Sequence, residues 1–170
     1  VRRGRRLALG LVALAALAGC AGGGSMLRGS EPLRLHEVAD AGDPVRRASQ
    51  RLVLQGLASD ASGDTRIART SYERALQVDA NNPFAYLALA RWSVEDGDGE
   101  RALEYLDQAE LLLGAEDLLS PRVEPHLAGL RGAALRGRGS ERTSRELLAR
   151  ASALAPGVWD DGNLSAEELR

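Results

Sequence analysis

Few side chains in this chain are equipped for chemistry. Cys20 is the only thiol, and the two histidines, His36 and His126, lie far from it and from each other. A single cysteine makes no intramolecular disulfide, and this set does not supply the ligands of a thiolate and imidazole zinc site. All 22 basic residues are arginine. Chemistry that needs a lysine amine, such as a P-loop phosphate contact or a Schiff base, is thereby excluded. Asp96, Asp98, Glu100 and Glu104 crowd one stretch and suggest calcium. The EF-hand spacing fails, however, because Arg101 stands where the loop glycine belongs, and a capped turn accounts better for these acids. Gly137-Arg138-Gly139-Ser140 is a turn without a preceding strand, which argues against phosphate binding there. No G-x-S-x-G elbow, H-E-x-x-H pair or G-x-G-x-x-G loop occurs. The expectation is a protein that is not an enzyme, with no metal and no cofactor.

The surroundings of Cys20 carry the one chemical signal. Arg2, Arg3, Arg5 and Arg6 precede an uncharged run from Leu7 to Ala18, the layout of an export signal. A membrane-spanning helix needs about 20 apolar residues. Here the run breaks at Gly19, and Ala21-Gly22-Gly23-Gly24-Ser25 follows Cys20. The stretch Leu17-Ala18-Gly19-Cys20 resembles the lipobox of bacterial lipoproteins. That resemblance implies removal of residues 1–19, a covalent lipid on Cys20 and, with two or more acyl chains, stable membrane anchoring. An ordinary signal peptide cleaved nearby is the alternative. Ala21 stands where an aspartate would retain such lipoproteins at the inner membrane, so the resemblance favours the periplasmic face of the outer membrane.

Residues 20–42 read as a lipidated N-terminus and tether, rich in Gly and Ser at first, with a weak Leu33-Arg34-Leu35-His36 alternation later. Such a stretch, if fully flexible, spans on the order of 25 Å. His36 reads as a solvent-facing residue. The leader takes four arginines and no acid with it, leaving 18 basic against 24 acidic residues and a net charge of −6. Nucleic acid is therefore not an expected partner. With 170 residues, 27% of them charged, the chain suits one globular domain and is too polar for a polytopic membrane protein.

From Asp43 onward the pattern is helical, broken by Gly-Asp and Asn-Asn-Pro turns, without the alternation of strands. Gly63-Asp64, Ala68, Tyr72 and Ala75 recur as Gly97-Asp98, Ala102, Leu106 and Ala109, each pair 34 residues apart. Ala68 and Ala75, like Ala102 and Ala109, share one helix face, where a methyl group admits a neighbouring helix. Gly63 and Gly97 suit the turn, Asp64 and Asp98 suit a cap, and Asn82-Pro83 opens the next helix pair. A looser third copy carries Gly132, Gly139, Leu148, Ala151 and Pro156 after an insert of about eight residues near Leu118–Glu124, with Arg131 and Ser144 at positions that depart from the pattern.

The 34-residue period and these residues resemble the tetratricopeptide family. The resemblance implies an all-α fold, a right-handed solenoid of antiparallel helix pairs over residues 43–157. Its repeats are placed at about 49–82 and 83–116, with a degenerate third at about 125–156. Residues 158–170 follow as an acidic tail, with Trp159 placed to cover the open end of the stack. Carried over position by position, a partner-binding groove is expected from Gln50, Val53 and Leu57, from Phe84, Leu87 and Arg91, and from His126, Ala133 and Arg136. Its mixture of apolar and arginine side chains suits an apolar segment with an acidic flank. Trp92, Tyr105 and Phe84 are expected in the core, with Phe84 the likeliest of them to reach a ligand. Arg131, Arg136, Arg138, Arg142, Arg145 and Arg150 make the third repeat basic, facing solvent or pairing with the acidic tail.

The function these features imply is a membrane-anchored adaptor or scaffold in the bacterial envelope that binds an envelope protein or peptide. The other readings are a pilotin-like assembly factor for a pilus or secretion system, an accessory subunit of a cell-wall enzyme, and a structural lipoprotein that forms homo-oligomers.

Overall fold

The computed structural model describes residues 31–170. The signal peptide expected over 1–19, Cys20 with the lipobox-like stretch before it, and the first part of the expected tether lie outside the described residues. Those described form a short 3-10 helix, Leu35–Val38, and eight α-helices. They are α1 (Pro44–Ala61), α2 (Thr65–Val78), α3 (Pro83–Glu95), α4 (Gly99–Ala115), α5 (Glu124–Gly137), α6 (Glu141–Leu154), α7 (Pro156–Trp159) and α8 (Ala166–Leu169). The fold is all-α, with α1 packed on α2, α3 on α4, and α5 on α6 in sequence.

Each long hairpin turns in the same way. Gly63, Gly97 and Gly139 take φ of 86°, 83° and 76°, a region closed to most L-residues, although a Cβ there would meet nothing. The bonds repeat with the conformation. Asp64 N donates to Ser59 O at 2.9 Å, Asp98 N to Ser93 O at 2.9 Å, and Ser140 N to Leu135 O at 3.1 Å. Helix starts are set by side chains: the Asp43 carboxylate accepts from Val45 N and Arg46 N, and Asn82 accepts from Phe84 N at 3.0 Å, each ahead of a proline at the first helical position. Asn82 is itself wholly buried and donates to Ser49 Oγ (2.8 Å), which donates to the Ala75 carbonyl (2.7 Å). That relay ties α1, α2 and α3 together at the end of the first hairpin.

Small residues bring the paired helices close. A Cβ on Gly56 would strike the Tyr72 ring, and one on Gly132 would stand 2.9 Å from Leu148 Cγ. Ala90 holds the matching position in the second hairpin and is fully buried. Ala68 and Ala102 are matched by Ser144, which is also buried and donates to the Gly132 carbonyl at 2.7 Å. The extra hydroxyl is satisfied by the facing helix, so the substitution is compatible with the close contact. Arg131 lies half-buried and pairs with Asp107 (2.6 Å) and Glu110 (2.9 Å) of α4, which stitches the third hairpin to the second. The insert before α5 begins by lengthening α4, a helix of 17 residues where α2 and α6 have 14.

The first helix of each pair forms an inner layer, in which α3 contacts both α1 and α5. Being central, α3 buries residues on every side, from Pro83 to Ser93, as an apolar helix enclosed by others must. The core extends beyond the three hairpins, taking in Leu33 and Leu35 ahead of α1 and Trp159, Leu164 and Leu169 after α6.

Candidate functional site

The inner helical layer is where the groove was expected, and the chain itself covers it. Of the nine residues assigned to the groove, eight are buried: Gln50, Val53, Leu57, Phe84, Leu87, Arg91, His126 and Ala133. Arg136 alone is exposed, and it donates to the Gly162 carbonyl at 2.9 Å and to Asn163 Oδ1 at 3.2 Å. Two terminal segments lie on this layer. The 3-10 helix lies on α1, while α8 lies on α1 and α3.

The first of these segments corrects the expected free tether, and the second adds contacts to the expected acidic tail. From Leu33 onward the tether is not free, because Leu33 and Leu35 enter the core at 8% and 2% exposure. The weak Leu-x-Leu alternation places both leucines on one side of an extended stretch, and that side meets the inner layer. The acidic tail is likewise docked. Trp159, Leu164, Ala166 and Leu169 are buried, and Ser165 with Glu168 forms a capping box that starts α8. Trp159 packs on α5, where a Cβ on Gly129 would stand 2.5 Å from the indole ring. His36 is exposed, as expected, with its backbone N–H and Nδ1 each 2.8 Å from the Arg170 carbonyl oxygen, which joins the two terminal segments.

His126 sits at the centre of this arrangement with no exposed surface. Its Nε2 donates to the Leu33 carbonyl at 2.8 Å, and its ring lies 6.5 Å from that of Trp159. A carbonyl only accepts, so the neutral ring carries its proton on Nε2 and leaves Nδ1 as a bare acceptor. Burial pushes its pKa down to about 4. Leu33 is held from both sides, since its N–H donates to the Arg122 carbonyl at 2.9 Å. Arg122 in turn places Nη2 at 2.7 and 2.9 Å from the two Glu37 carboxylate oxygens and donates from Nε to the Glu31 carbonyl.

Arg91 departs most from its expected role. It is an internal cation, buried against Asp60 of α1 and reaching Glu95 at 2.8 Å. Tyr72, whose hydroxyl burial keeps protonated, donates to the same Asp60 oxygen at 3.2 Å. Alongside α8 this cluster opens into a cavity of about 770 Å³, bordered by Asp60, Arg91, Glu95, Ala133, Arg136 and Glu168. The C-termini of α1, α3 and α5 all end at its wall, so partial negative charge from three helices adds to that of the acids. Four polar side-chain atoms of the inner layer are buried without a partner: Gln50 Oε1, Arg91 Nε, Ser93 Oγ and His126 Nδ1.

The remaining residues singled out in the sequence are structural here. Phe84 lies in the core at 3% exposure; Trp92 lies beneath the Arg69 guanidinium at 5.0 Å, and Tyr105 leans on Tyr86. Asp98 caps α4 through Arg101 N at 3.0 Å. Arg142 and Arg150 pair with Glu146 and Glu124 rather than with the tail acids. Sequence reasoning missed Asp60, Arg122 and the leucines of the terminal segments. The readable signals were Leu33-x-Leu35 and the Ser165-x-x-Glu168 capping box next to Leu164 and Leu169. Among the described residues no helix is long and apolar enough to cross a membrane, and no three His, Cys, Asp or Glu side chains gather as a metal site. The chain matches no protein-family model, no curated protein and no solved structure.

Proposed function

We propose that this chain is a lipid-anchored, non-catalytic adaptor of the bacterial envelope, built from three tetratricopeptide-like hairpins wound as a right-handed solenoid. The carrying observation is the recurrence of one hairpin three times. The turn glycine, the small residue opposite Tyr72 or Leu148, and the small residues at 68/75, 102/109 and 144/151 recur in each copy. Stacks of this kind present their inner helices to a partner's segment. The anchor is Cys20, which places the adaptor at a membrane, with the periplasmic face of the outer membrane favoured by Ala21.

The test uses the full-length tagged protein in its native envelope. Wild-type chain should incorporate a labelled fatty acid and sediment with membranes, and Cys20→Ser should do neither. Cross-linked capture should recover one envelope protein with the wild type and lose it with Glu95→Ala/Arg136→Ala, two exposed changes at the open cavity. Recovery of the chain alone would replace the adaptor reading with a self-associating structural one.

A further inference from the structure

We propose that Glu31–Val38 is a displaceable ligand held in cis on the inner helical face, and that this face takes in trans a partner segment of the same pattern, leucine-x-leucine-x-carboxylate. This rests on the adaptor reading and adds the chemistry of the partner to it. The occupant shows what the face recognises. Leu33 and Leu35 are its two apolar anchors. Its backbone is read by His126 Nε2 and the Arg122 carbonyl at Leu33, by Arg122 Nε at Glu31 and by the Arg170 carbonyl at His36. Its carboxylate, Glu37, meets Arg122. Arg34 between the leucines is extended, with φ −102° and ψ 133°, so the segment runs onto the face as a stretched chain up to Arg34 and closes with the 3-10 turn Leu35–Val38 that presents Glu37.

The segment is attached in a way that permits release. Asp40, Ala41 and Gly42 form an exposed joint in which Gly42 has φ 86°, and α1 begins afterwards with its own Asp43 cap. Departure of the segment therefore unwinds no long helix. Its Glu37–Arg122 pair lies at the partly exposed edge, with side chains 34% and 37% accessible, where water competes for both ions.

The experiment uses the full-length protein in detergent, isotopically labelled, with an unlabelled synthetic peptide of the sequence Glu31–Val38. Attachment gives the cis segment an effective concentration on the order of millimolar. Peptide at several millimolar should therefore lower the exchange protection of the Leu33 and His36 amides at least tenfold while leaving α3 amides unchanged. A control peptide with aspartate for both leucines should do nothing. Leu33→Ala/Leu35→Ala, with helical content verified, should bind the fluorescent peptide at least tenfold more tightly than wild type. Unchanged protection in the wild type or equal affinity in the double variant would overturn the proposal. Peptide displacement without any captured envelope protein would leave the recognition pattern standing and defeat only the adaptor reading. Capture of a partner with the cis segment still protected would do the reverse.

Discussion

Lowering the pH from 7 to 5 should weaken the fold by about 2 kcal/mol through His126 alone. In the unfolded chain an imidazole titrates near its ordinary value of 6.5, whereas in the folded protein burial holds His126 at about 4. Glu168 pulls its pKa upward and Arg34 pushes it down, both by less than the effect of burial. Between those two pKa values the unfolded chain binds a proton that the folded one does not. Stability is therefore fully present above pH 6.5 and is lost as pH falls toward 4. The whole span is worth roughly 3 kcal/mol at about 1.4 kcal/mol per pKa unit. About 2 kcal/mol of it falls between pH 7 and pH 5. Urea denaturation at pH 7, 6 and 5, followed by circular dichroism at 222 nm on a soluble form beginning after Cys20, reads this directly. His126→Gln keeps a donor for the Leu33 carbonyl and removes the titration, so its midpoint should shift much less than that of the wild type. Equal pH slopes in the two proteins would refute the reasoning, because the slope would then belong to the carboxyl groups and not to the buried imidazole.

Three further perturbations probe the packing. Asp60→Ala leaves the buried Arg91 guanidinium with only the exposed Glu95 carboxylate as partner and should cost about 3 kcal/mol in urea melts, while Asp60→Leu/Arg91→Leu should recover most of that loss. Gly129→Ala pushes a methyl group into the Trp159 ring, and should cost about 1–3 kcal/mol with a red shift of tryptophan emission. Ala102→Asp places an unpaired carboxylate at a fully buried position on α4, and should abolish cooperative melting; a retained sharp transition would argue against the close hairpin contact.

The features legible in the sequence are those that depend on near neighbours. A turn glycine needs only its own φ, and a cap needs only the next three residues, so Gly63, Gly97, Gly139 and Asn82-Pro83 marked the hairpins correctly. The start of α1 lay beyond the repeat boundary, at Pro44 rather than Ser49, because the Asp43 cap extends the first helix outward. Covering of the inner face depends on residues far apart in the chain. Leu33 meets His126 across 93 positions, and Arg91 meets Asp60 across 31, and no local pattern encodes either partner. The terminal helices span four residues each, too short for helical periodicity to register. Arg91 holds a position expected to line the partner groove, and arginine is mostly exposed, a tendency that the buried Asp60 carboxylate overrides.

Docking of Leu33 also sets a length. With Cys20 lipidated as proposed, thirteen residue steps separate the anchor from Leu33, the first buried residue of the domain among those described. At about 3.5 Å per residue that chain reaches no more than about 45 Å. Were the segment released as far as Pro44, twenty-four steps would intervene, and the limit would become about 84 Å. Exchange of the cis segment for a partner would thus nearly double the maximum distance at which the domain can work from its membrane. Ligand recognition and standoff from the bilayer would then be two readings of one equilibrium, governed by the residues around His126.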